Sequence, residues 1–253
     1  MRAIGFSTGA VAFGDFRMAL AILKECNFRC IELSALRVSE VNPLIEALPD
    51  LDLAGYSYIS FHAPSRFSRE EELWLTELLY KKVPVSWPIV LHPDTIHDFE
   101  LWRRFASRIA IENMDRRKQC GRSVRELAEI LVNLPDAGLC FDIGHSHQFD
   151  PSMTEAFETL STFSSRLVQV HVSEVDSESH HEPLSYGTIL AFNRVSGLIA
   201  ETVPIIVESR VPQSQISLEA EVANEALSVQ PVVTNRQPIA IRYPTAGWPG
   251  SRF

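Results

Sequence analysis

Eight short apolar runs, rich in β-branched and aromatic residues, recur along the chain and alternate with stretches of helical periodicity. They are Ile4–Thr8, Cys30–Ser34, Tyr58–His62, Ile89–His92, Ile109–Asn113, Leu139–Ile143, Val168–Ser173 and Ile205–Ser209. Alternation of strands and helices favours parallel strands, because a parallel pair needs a crossover connection. Eight such units close into a barrel. We therefore expect an α/β fold of the (β/α)₈ TIM-barrel class.

The predicted helices are clearest in six intervals, and a seventh is weaker. They are Phe16–Lys24, Glu70–Lys82, Phe99–Ser107, Val124–Asn133, Thr154–Ser164, Ile189–Glu201 and the weaker Val38–Leu48. An open, doubly wound sheet is the structural alternative. Such a sheet more often carries a glycine-rich phosphate loop after an early strand, and none is visible in this sequence.

The length of 253 residues suits one barrel domain, which typically has about 250 residues. The repeat ends near Ala226, so we predict a single barrel domain over residues 1–226 and a Pro-rich C-terminal extension over residues 227–253. Two interpretations of the extension stay open. It packs across the barrel bottom or against a partner subunit in a homodimer, or it is a mobile tail.

The composition disfavours two classes of partner. A formal net charge of −9 makes nucleic-acid binding an unfavoured expectation, since an acidic protein repels phosphate backbones. No apolar run approaches the roughly 20 residues of a membrane helix, and the N-terminus is a poor signal peptide.

The four cysteines show no Cys-x-x-Cys spacing. We interpret them as reduced thiols and expect a cytoplasmic protein.

Ionisable side chains stand at the ends of six consecutive predicted strands. They are His62, His92, Glu112, Asp142, His171 and Glu208, with His145 just after the sixth strand. In a barrel, the C-terminal ends of all strands meet at one mouth. Each residue alone has an ordinary explanation: Glu208 could pair with Arg210, and Asp142 could cap the next helix. Separate explanations of this kind would have to hold independently at six adjacent strands, which we consider improbable.

A divalent cation would compensate this collection of buried charges. Carboxylates gathered in an apolar mouth repel one another and are costly to bury. Histidine and carboxylate ligands suit zinc or manganese, with cobalt or iron as alternatives. The absence of thiolates from the strand ends argues against a cysteine-type structural zinc site.

The strand-end motifs resemble those of the xylose isomerase-like TIM barrel superfamily, which contains sugar phosphate isomerases and epimerases and the endonuclease IV-like proteins (AP endonuclease family 2). The resemblance spans Ile4 to Glu208. Its motifs are FHAPS at Phe61–Ser65, LHPD at Leu91–Asp94, IENMD at Ile111–Asp115, FDIGH at Phe141–His145, VHVSE at Val170–Glu174, HEPLSYG at His181–Gly187 and VES at Val207–Ser209. Their order is more specific than any single motif.

The resemblance implies a ligand set. In the isomerase branch, one metal is held by residues that match Glu112, Asp142, His171 and Glu208. Endonuclease IV adds histidines that match His62 and His92, and a third metal held by residues that match His145 and His181. The aspartate of that third site is Ser179 in this chain. We therefore expect at most two metals, with Glu112 bridging them.

Three function classes follow from this site. The first is a metal-dependent isomerase or epimerase of a sugar or sugar phosphate, acting through a metal-stabilised enediolate. The resemblance implies Glu112 and Glu208 as acid and base, and His145 as a contact to a substrate hydroxyl. We add Arg116 and Ser173 as candidate substrate-binding residues, Arg116 belonging to a basic cluster that alternatively is a solvated helix start.

The second class is an endonuclease IV-like phosphoesterase with two or more zinc ions, which His62 and His92 favour. The third is a barrel that binds a ligand without catalysis, and the intact carboxylates at Glu112 and Glu208 argue against it. We rank the isomerase first because the chain is acidic, the third site is incomplete and isomerases are the majority of the family. The last reason is an analogy of fold.

Overall fold

The computed structural model describes residues 2–228, and its eight central strands form a closed parallel barrel. The barrel strands are β1 (Ile4–Ser7), β2 (Cys30–Ser34), β3 (Tyr58–His62), β4 (Ile89–Leu91), β5 (Ile109–Glu112), β6 (Gly138–Asp142), β7 (Leu167–Val172) and β10 (Ile205–Val207). Their order around the barrel is β1–β10–β7–β6–β5–β4–β3–β2. The predicted (β/α)₈ barrel is confirmed, and the open doubly wound sheet is excluded by the pairing of β1 with β10.

A two-stranded antiparallel ribbon follows β7 and projects from the barrel mouth. It consists of β8 (Glu174–Val175) and β9 (His181–Glu182). The ribbon carries His181 back towards the barrel, which explains how a residue outside the eight predicted runs reaches the same mouth.

Ten α-helices and six short 3₁₀ helices lie within the described residues. The α-helices are α1 (Thr8–Ala12), α2 (Phe16–Lys24), α3 (Val38–Ala47), α4 (Arg69–Lys82), α5 (Phe99–Arg103), α6 (Val124–Asn133), α7 (Ile143–Phe149), α8 (Thr154–Phe163), α9 (Tyr186–Asn193) and α10 (Ile216–Ala226). The 3₁₀ helices are Leu48–Asp50, Pro93–Thr95, Ala106–Arg108, Ser164–Arg166, Ser196–Leu198 and Gln213–Gln215. None of the helices in this part of the chain is long and apolar enough to cross a membrane.

Five of the seven predicted helices match α2, α3, α4, α6 and α8 to within one residue at each end, the other two differ more, and α1, α7 and α10 were not predicted. The predicted Phe99–Ser107 stops at Arg103 and continues as a separate 3₁₀ turn, and the predicted Ile189–Glu201 corresponds to a helix that both begins and ends earlier, over Tyr186–Asn193. In the second case Ser185 caps the helix by accepting from the Thr188 amide, and a hydroxyl cap fixes a start that periodicity alone misses. The predicted domain of residues 1–226 stays a prediction, and the extension from residue 229 onward lies outside the described residues.

Side chains alternate between the two faces of each barrel strand. Outward-facing residues such as Ile31, Phe61 and Ile111 join one large apolar cluster with the surrounding helices. Val90, Ala110 and Cys140 form a separate small cluster that fills the barrel interior. The inward positions one step further along the strands carry the ionisable residues, so the polar side chains of the interior are concentrated towards its C-terminal mouth.

Candidate metal centre

Six side chains from six adjacent strands meet at the C-terminal mouth of the barrel. They are His62 at the end of β3, His92 after β4, Glu112 on β5, Asp142 on β6, His171 on β7 and Glu208 after β10. All six side chains are almost completely buried. Asp142 and His171 are 0% exposed, and the most exposed of the six, the Glu208 side chain, is 12% exposed. The predicted convergence of these residues is therefore present in the structure.

Glu112 lies at the centre of the group and contacts histidines with both oxygens. Its Oε2 is 3.1 Å from His62 Nε2 and 3.1 Å from His92 Nε2. Its Oε1 is 3.4 Å from both His145 Nδ1 and His171 Nδ1. Two neighbouring candidate sites thus share one carboxylate, in keeping with a bridging role for Glu112.

The first candidate site consists of Glu112, Asp142, His171 and Glu208, whose ligand atoms lie within 4.8 Å of one another. His171 Nδ1 is 3.4 Å from Glu208 Oε2, the same as its distance from Glu112 Oε1. Metal–ligand bonds of about 2.0–2.2 Å in a tetrahedral arrangement place ligand atoms roughly 3.3–3.6 Å apart. The spacing of these donors therefore suits a small divalent ion.

The second candidate site consists of His62, His92 and Glu112, and a third group consists of Asp142, His145 and His181. Ser179, at the position where the related pattern has an aspartate, donates its hydroxyl proton to Asp115 Oδ1 at 2.7 Å. The loop that carries His181 therefore contributes no carboxylate to the third group. The carboxylate of that group is Asp142, which also belongs to the first site.

Backbone geometry holds Asp142 and His145 in place. Asp142 caps α7, because its Oδ1 accepts from the His145 amide at 2.7 Å. Asn113 exchanges two hydrogen bonds with the Asp142 backbone, at 2.7 and 2.8 Å, and so ties the end of β5 to the end of β6. Gly144 permits this packing, since a Cβ there would lie 2.4 Å from the Ser173 carbonyl oxygen.

The electrostatics are those of crowded carboxylates and imidazoles. Burial, together with the charges of Glu112, Glu32 and Asp142, raises the pKa of Glu208 to about 7, against the opposing effect of His171. Burial also acts to raise the pKa of Glu112, but the surrounding histidines outweigh it and hold that pKa well below its usual range. For His62, burial is outweighed by Glu112 and Glu32, and the pKa rises to about 9.

Three observations indicate that these residues fit a divalent cation. Among the described residues, the buried Asp142 Oδ2 and His92 Nδ1 have no hydrogen-bond partner. The carboxylates and neutral imidazoles are the ligand types that zinc and manganese accept. Within residues 2–228, the ion-pair partners of Glu112, Asp142 and Glu208 are histidines and not lysine or arginine, so a bound ion would supply a positive charge that these carboxylates lack.

A cavity of about 450 Å³ opens from this centre to solvent. His62, His92, Glu112, His145, His181 and Glu208 all contribute to its lining. Five cationic side chains surround it: Arg37, Arg66, Arg117, Lys118 and Arg210. Three of them pair with acids, namely Arg37 with Glu40, Arg117 with Asp115 and Lys118 with Asp94. Arg66 and Arg210 are exposed and form no ion pair within residues 2–228.

The two proposed substrate contacts are placed differently. Arg116 does not line the cavity, and its guanidinium donates to the Ser177 carbonyl at 3.4 Å. The next two residues, Arg117 and Lys118, do line it. Ser173 is fully buried behind His181, with its hydroxyl 2.8 Å from His181 Nδ1. Its position suits orientation of His181 more than contact with a substrate.

Sequence reasoning missed one ionisable residue of this region. Glu32 on β2 is completely buried, and its Oε2 is 3.1 Å from His171 Nε2. The available signal was a charged residue in the otherwise apolar run Cys30–Ser34. Glu32 is not at the end of its strand, so a search limited to strand ends passed over it.

The fold and the site together define a class: a (β/α)₈ barrel protein with a histidine and carboxylate centre at its C-terminal mouth. The chain belongs to the xylose isomerase-like TIM barrel family, whose model matches residues 99–229. The resemblance inferred from the motifs is therefore confirmed. A comparison with curated proteins finds no significant match.

Solved structures with this fold include the 3-keto-D-glucoside 4-epimerase YcjR from E. coli, at 13% identity and a TM-score of 0.55, covering 87% of this chain and 98% of that one. The IolI protein with a bound zinc atom is 14% identical, with a TM-score of 0.57 and coverage of 89% and 96%. A protein of Anabaena variabilis provisionally assigned as a sugar phosphate isomerase/epimerase is 14% identical, with a TM-score of 0.57 and coverage of 96% and 93%. At these identities the likeness concerns the fold.

Proposed function

We propose that this protein is a divalent-metal-dependent isomerase or epimerase that acts on a sugar or sugar phosphate. The observation that carries the proposal is the convergence of Glu112, Asp142, His171 and Glu208 on one point at the base of an open cavity. Similarity to a sugar epimerase, to a zinc-binding protein and to an assigned sugar phosphate isomerase supports it as analogy.

A bound divalent cation would supply Lewis-acid polarisation of a substrate carbonyl. The chain itself then has to move a proton from the neighbouring carbon and return it. Glu208 suits removal of the proton, because its carboxylate lines the cavity that a substrate would enter. Glu112 is the second carboxylate at the cavity base, and His145 lines the same cavity within reach of a substrate hydroxyl.

The charge of the cavity mouth favours a phosphorylated substrate. The whole chain has a formal net charge of −9, yet five cations surround this opening. Arg210 is held over the ring of Phe13, with its guanidinium carbon 4.9 Å from the ring centroid. Arg66 and Arg210 are the exposed cations best suited to bind a phosphate, because acidic partners do not already neutralise them within residues 2–228.

The test is a panel of aldoses, ketoses and their phosphates, incubated with the protein loaded with zinc, manganese or cobalt. We expect conversion between isomers or epimers, with solvent deuterium incorporated at the carbon that exchanges its proton. Glu208→Gln should abolish both conversion and exchange while the protein stays folded. Full activity in that variant would refute the site assignment.

One observation favours a second candidate, a phosphoesterase. His62 and His92 both contact Glu112 Oε2 at 3.1 Å, and a single-metal isomerase does not need either as a ligand. Two ions that share Glu112 as a ligand could stabilise the attacking oxygen and the leaving oxygen during hydrolysis of a phosphoester. Release of phosphate or of an alcohol from phosphodiesters, with no isomerisation of any sugar, would reverse the order of the two candidates.

A further inference from the structure

A buried carboxylate lies one layer below the four-residue candidate site, on a strand that contributes no ligand to that site, although it also falls in a further group of possible ligands with His62, His171 and Glu208. Glu32 on β2 is completely buried in the barrel interior. Its Oε2 accepts from the Ser60 hydroxyl at 3.0 Å and from the Gln169 amide nitrogen at 2.7 Å, and it lies 3.1 Å from His171 Nε2. A charge at this depth is costly unless donors surround it, and three donors meet this one oxygen.

His171 therefore contacts carboxylates on both sides of its ring. Its Nδ1 faces the candidate centre, at 3.4 Å from Glu112 Oε1 and from Glu208 Oε2. Its Nε2 faces Glu32 on the opposite side. An imidazole that binds a metal through Nδ1 must carry its proton on Nε2, and that proton needs an acceptor in this dry interior.

Glu32 can accept that proton, whereas the Gln169 group near Nε2 cannot. The Gln169 atom that lies 2.8 Å from His171 Nε2 also lies 2.7 Å from the Glu32 carboxylate, so it is the amide nitrogen and a donor. The amide oxygen of Gln169 accepts from the Tyr58 hydroxyl at 2.6 Å, which fixes this orientation. Tyr58 and Gln169 thus aim a donor at Glu32 and leave Glu32 as the acceptor for His171.

The backbone of β7 is adapted to this arrangement. A bulge at the start of β7 shifts its register against β6, so that Gln169 pairs with Cys140 and His171 with Asp142. A shift of one residue turns every following side chain to the other face of a strand. The bulge therefore turns both Gln169 and His171 into the barrel, where they meet Glu32.

We propose that Glu32 is a positioning residue for the metal ligand His171: it accepts the Nε2 proton and keeps Nδ1 directed at the ion. This inference rests on the metal centre of the proposed function and assigns a role to a residue outside that centre. Carboxylates that orient ligating histidines in this way typically change metal affinity by 10–100-fold when removed.

The experiment measures zinc affinity by competition with a chromophoric chelator, on the full chain stripped of metal. Glu32→Gln should weaken zinc binding by about 10–100-fold without changing the number of ions bound. The matched control is Glu72→Gln. Glu72 is a second fully buried carboxylate, bound to the Trp102 indole nitrogen at 2.9 Å on the outer side of the barrel. That variant should lose stability and keep its zinc affinity.

Two further readouts separate positioning from simple loss of charge. Glu32→Asp keeps the charge but withdraws the carboxylate from His171 Nε2, so affinity should fall in this variant too. The visible absorption bands of the cobalt-loaded protein should shift in both Glu32 variants and stay unchanged in Glu72→Gln. If Glu32→Asp binds zinc as tightly as the unaltered protein, the effect is one of charge, and the positioning role is refuted.

The remaining outcomes distinguish this proposal from the proposed function. If Glu32→Gln binds zinc normally while His171→Ala binds it weakly, Glu32 has no positioning role and the metal centre stands. If Glu32→Gln binds one ion fewer, Glu32 is itself a ligand and the inference is overturned. If the unaltered protein binds neither zinc nor cobalt, both this inference and the metal-dependent function are refuted.

Discussion

Glu208→Gln should stabilise the metal-free protein, and excess zinc should remove most of this difference between the variant and the unaltered protein. In the folded chain the pKa of Glu208 rises from its ordinary value of 4.5 to about 7, because the carboxyl is buried near Glu112, Glu32 and Asp142. The folded state therefore holds this proton more tightly than the unfolded state. The free energy of unfolding must fall as pH rises through that window and stay lowered above it.

The size of the effect follows from the pKa difference. A shift from 4.5 to about 7 corresponds to about 3 kcal/mol, an upper value because 12% of the Glu208 side chain is exposed. Glutamine has nearly the shape of the protonated acid and carries no charge. Without metal, Glu208→Gln should therefore be more stable than the unaltered protein at pH 8, by up to about 3 kcal/mol, and equally stable near pH 4.

The assay is urea denaturation in the presence of a chelator at both pH values, repeated with excess zinc. Zinc at 100 times its dissociation constant should stabilise the unaltered protein by about 2.7 kcal/mol, and the variant by much less because a ligand is missing. Glu72→Gln is the control, since removal of its well-bonded carboxylate should destabilise the protein at either pH. The reasoning fails if Glu208→Gln is destabilised without metal at pH 8, or if zinc stabilises both proteins equally.

Three other expectations can be checked with the same purified protein. The double change of His62→Ala and His92→Ala should remove the second metal ion, if the protein binds two. It should impair a phosphoesterase activity far more than an isomerase activity. Unchanged metal content would contradict the two-metal arrangement. Metal should be released as pH falls through the histidine range, because protons compete for the ligand nitrogens, and retention of all metal at pH 4 would contradict histidine ligation. Arg66→Glu should raise the KM for a phosphorylated substrate by about tenfold or more with little change for the neutral sugar. The control is Arg125→Glu, a change at an exposed arginine outside the cavity lining, which should alter neither KM.

The barrel and the ionisable residues at its mouth could be predicted from the sequence for a definite physical reason. Parallel strands buried on both faces leave runs that are almost wholly apolar, so an ionisable residue at the end of such a run is conspicuous. Closure of the barrel then brings those ends together without any knowledge of the loops. For that reason His62, Glu112 and Glu208 were placed at one mouth from sequence alone.

The features that could not be predicted depend on register and on loop conformation. The inward orientation of Gln169 requires the bulge in β7, and no residue type in the sequence predicts that bulge. The contact between Glu32 and Gln169 depends on this orientation, so it could not be predicted either. Arg116 and Arg117 are adjacent in sequence, yet only Arg117 lines the cavity. Ser173 faces His181 because the β8–β9 ribbon folds back over the mouth, a contact between segments that spacing does not encode.

The most direct test of the account is elemental analysis of the purified protein after equilibration with zinc and manganese, beside the variant Asp142→Asn. The account predicts at least one divalent ion per unaltered chain and a clear loss in the variant, because Asp142 belongs to the four-residue site. One ion per chain, manganese above all, favours the isomerase, and two zinc ions favour the phosphoesterase. An unaltered protein that retains no divalent ion, or a variant that retains the full amount, would contradict the metal centre.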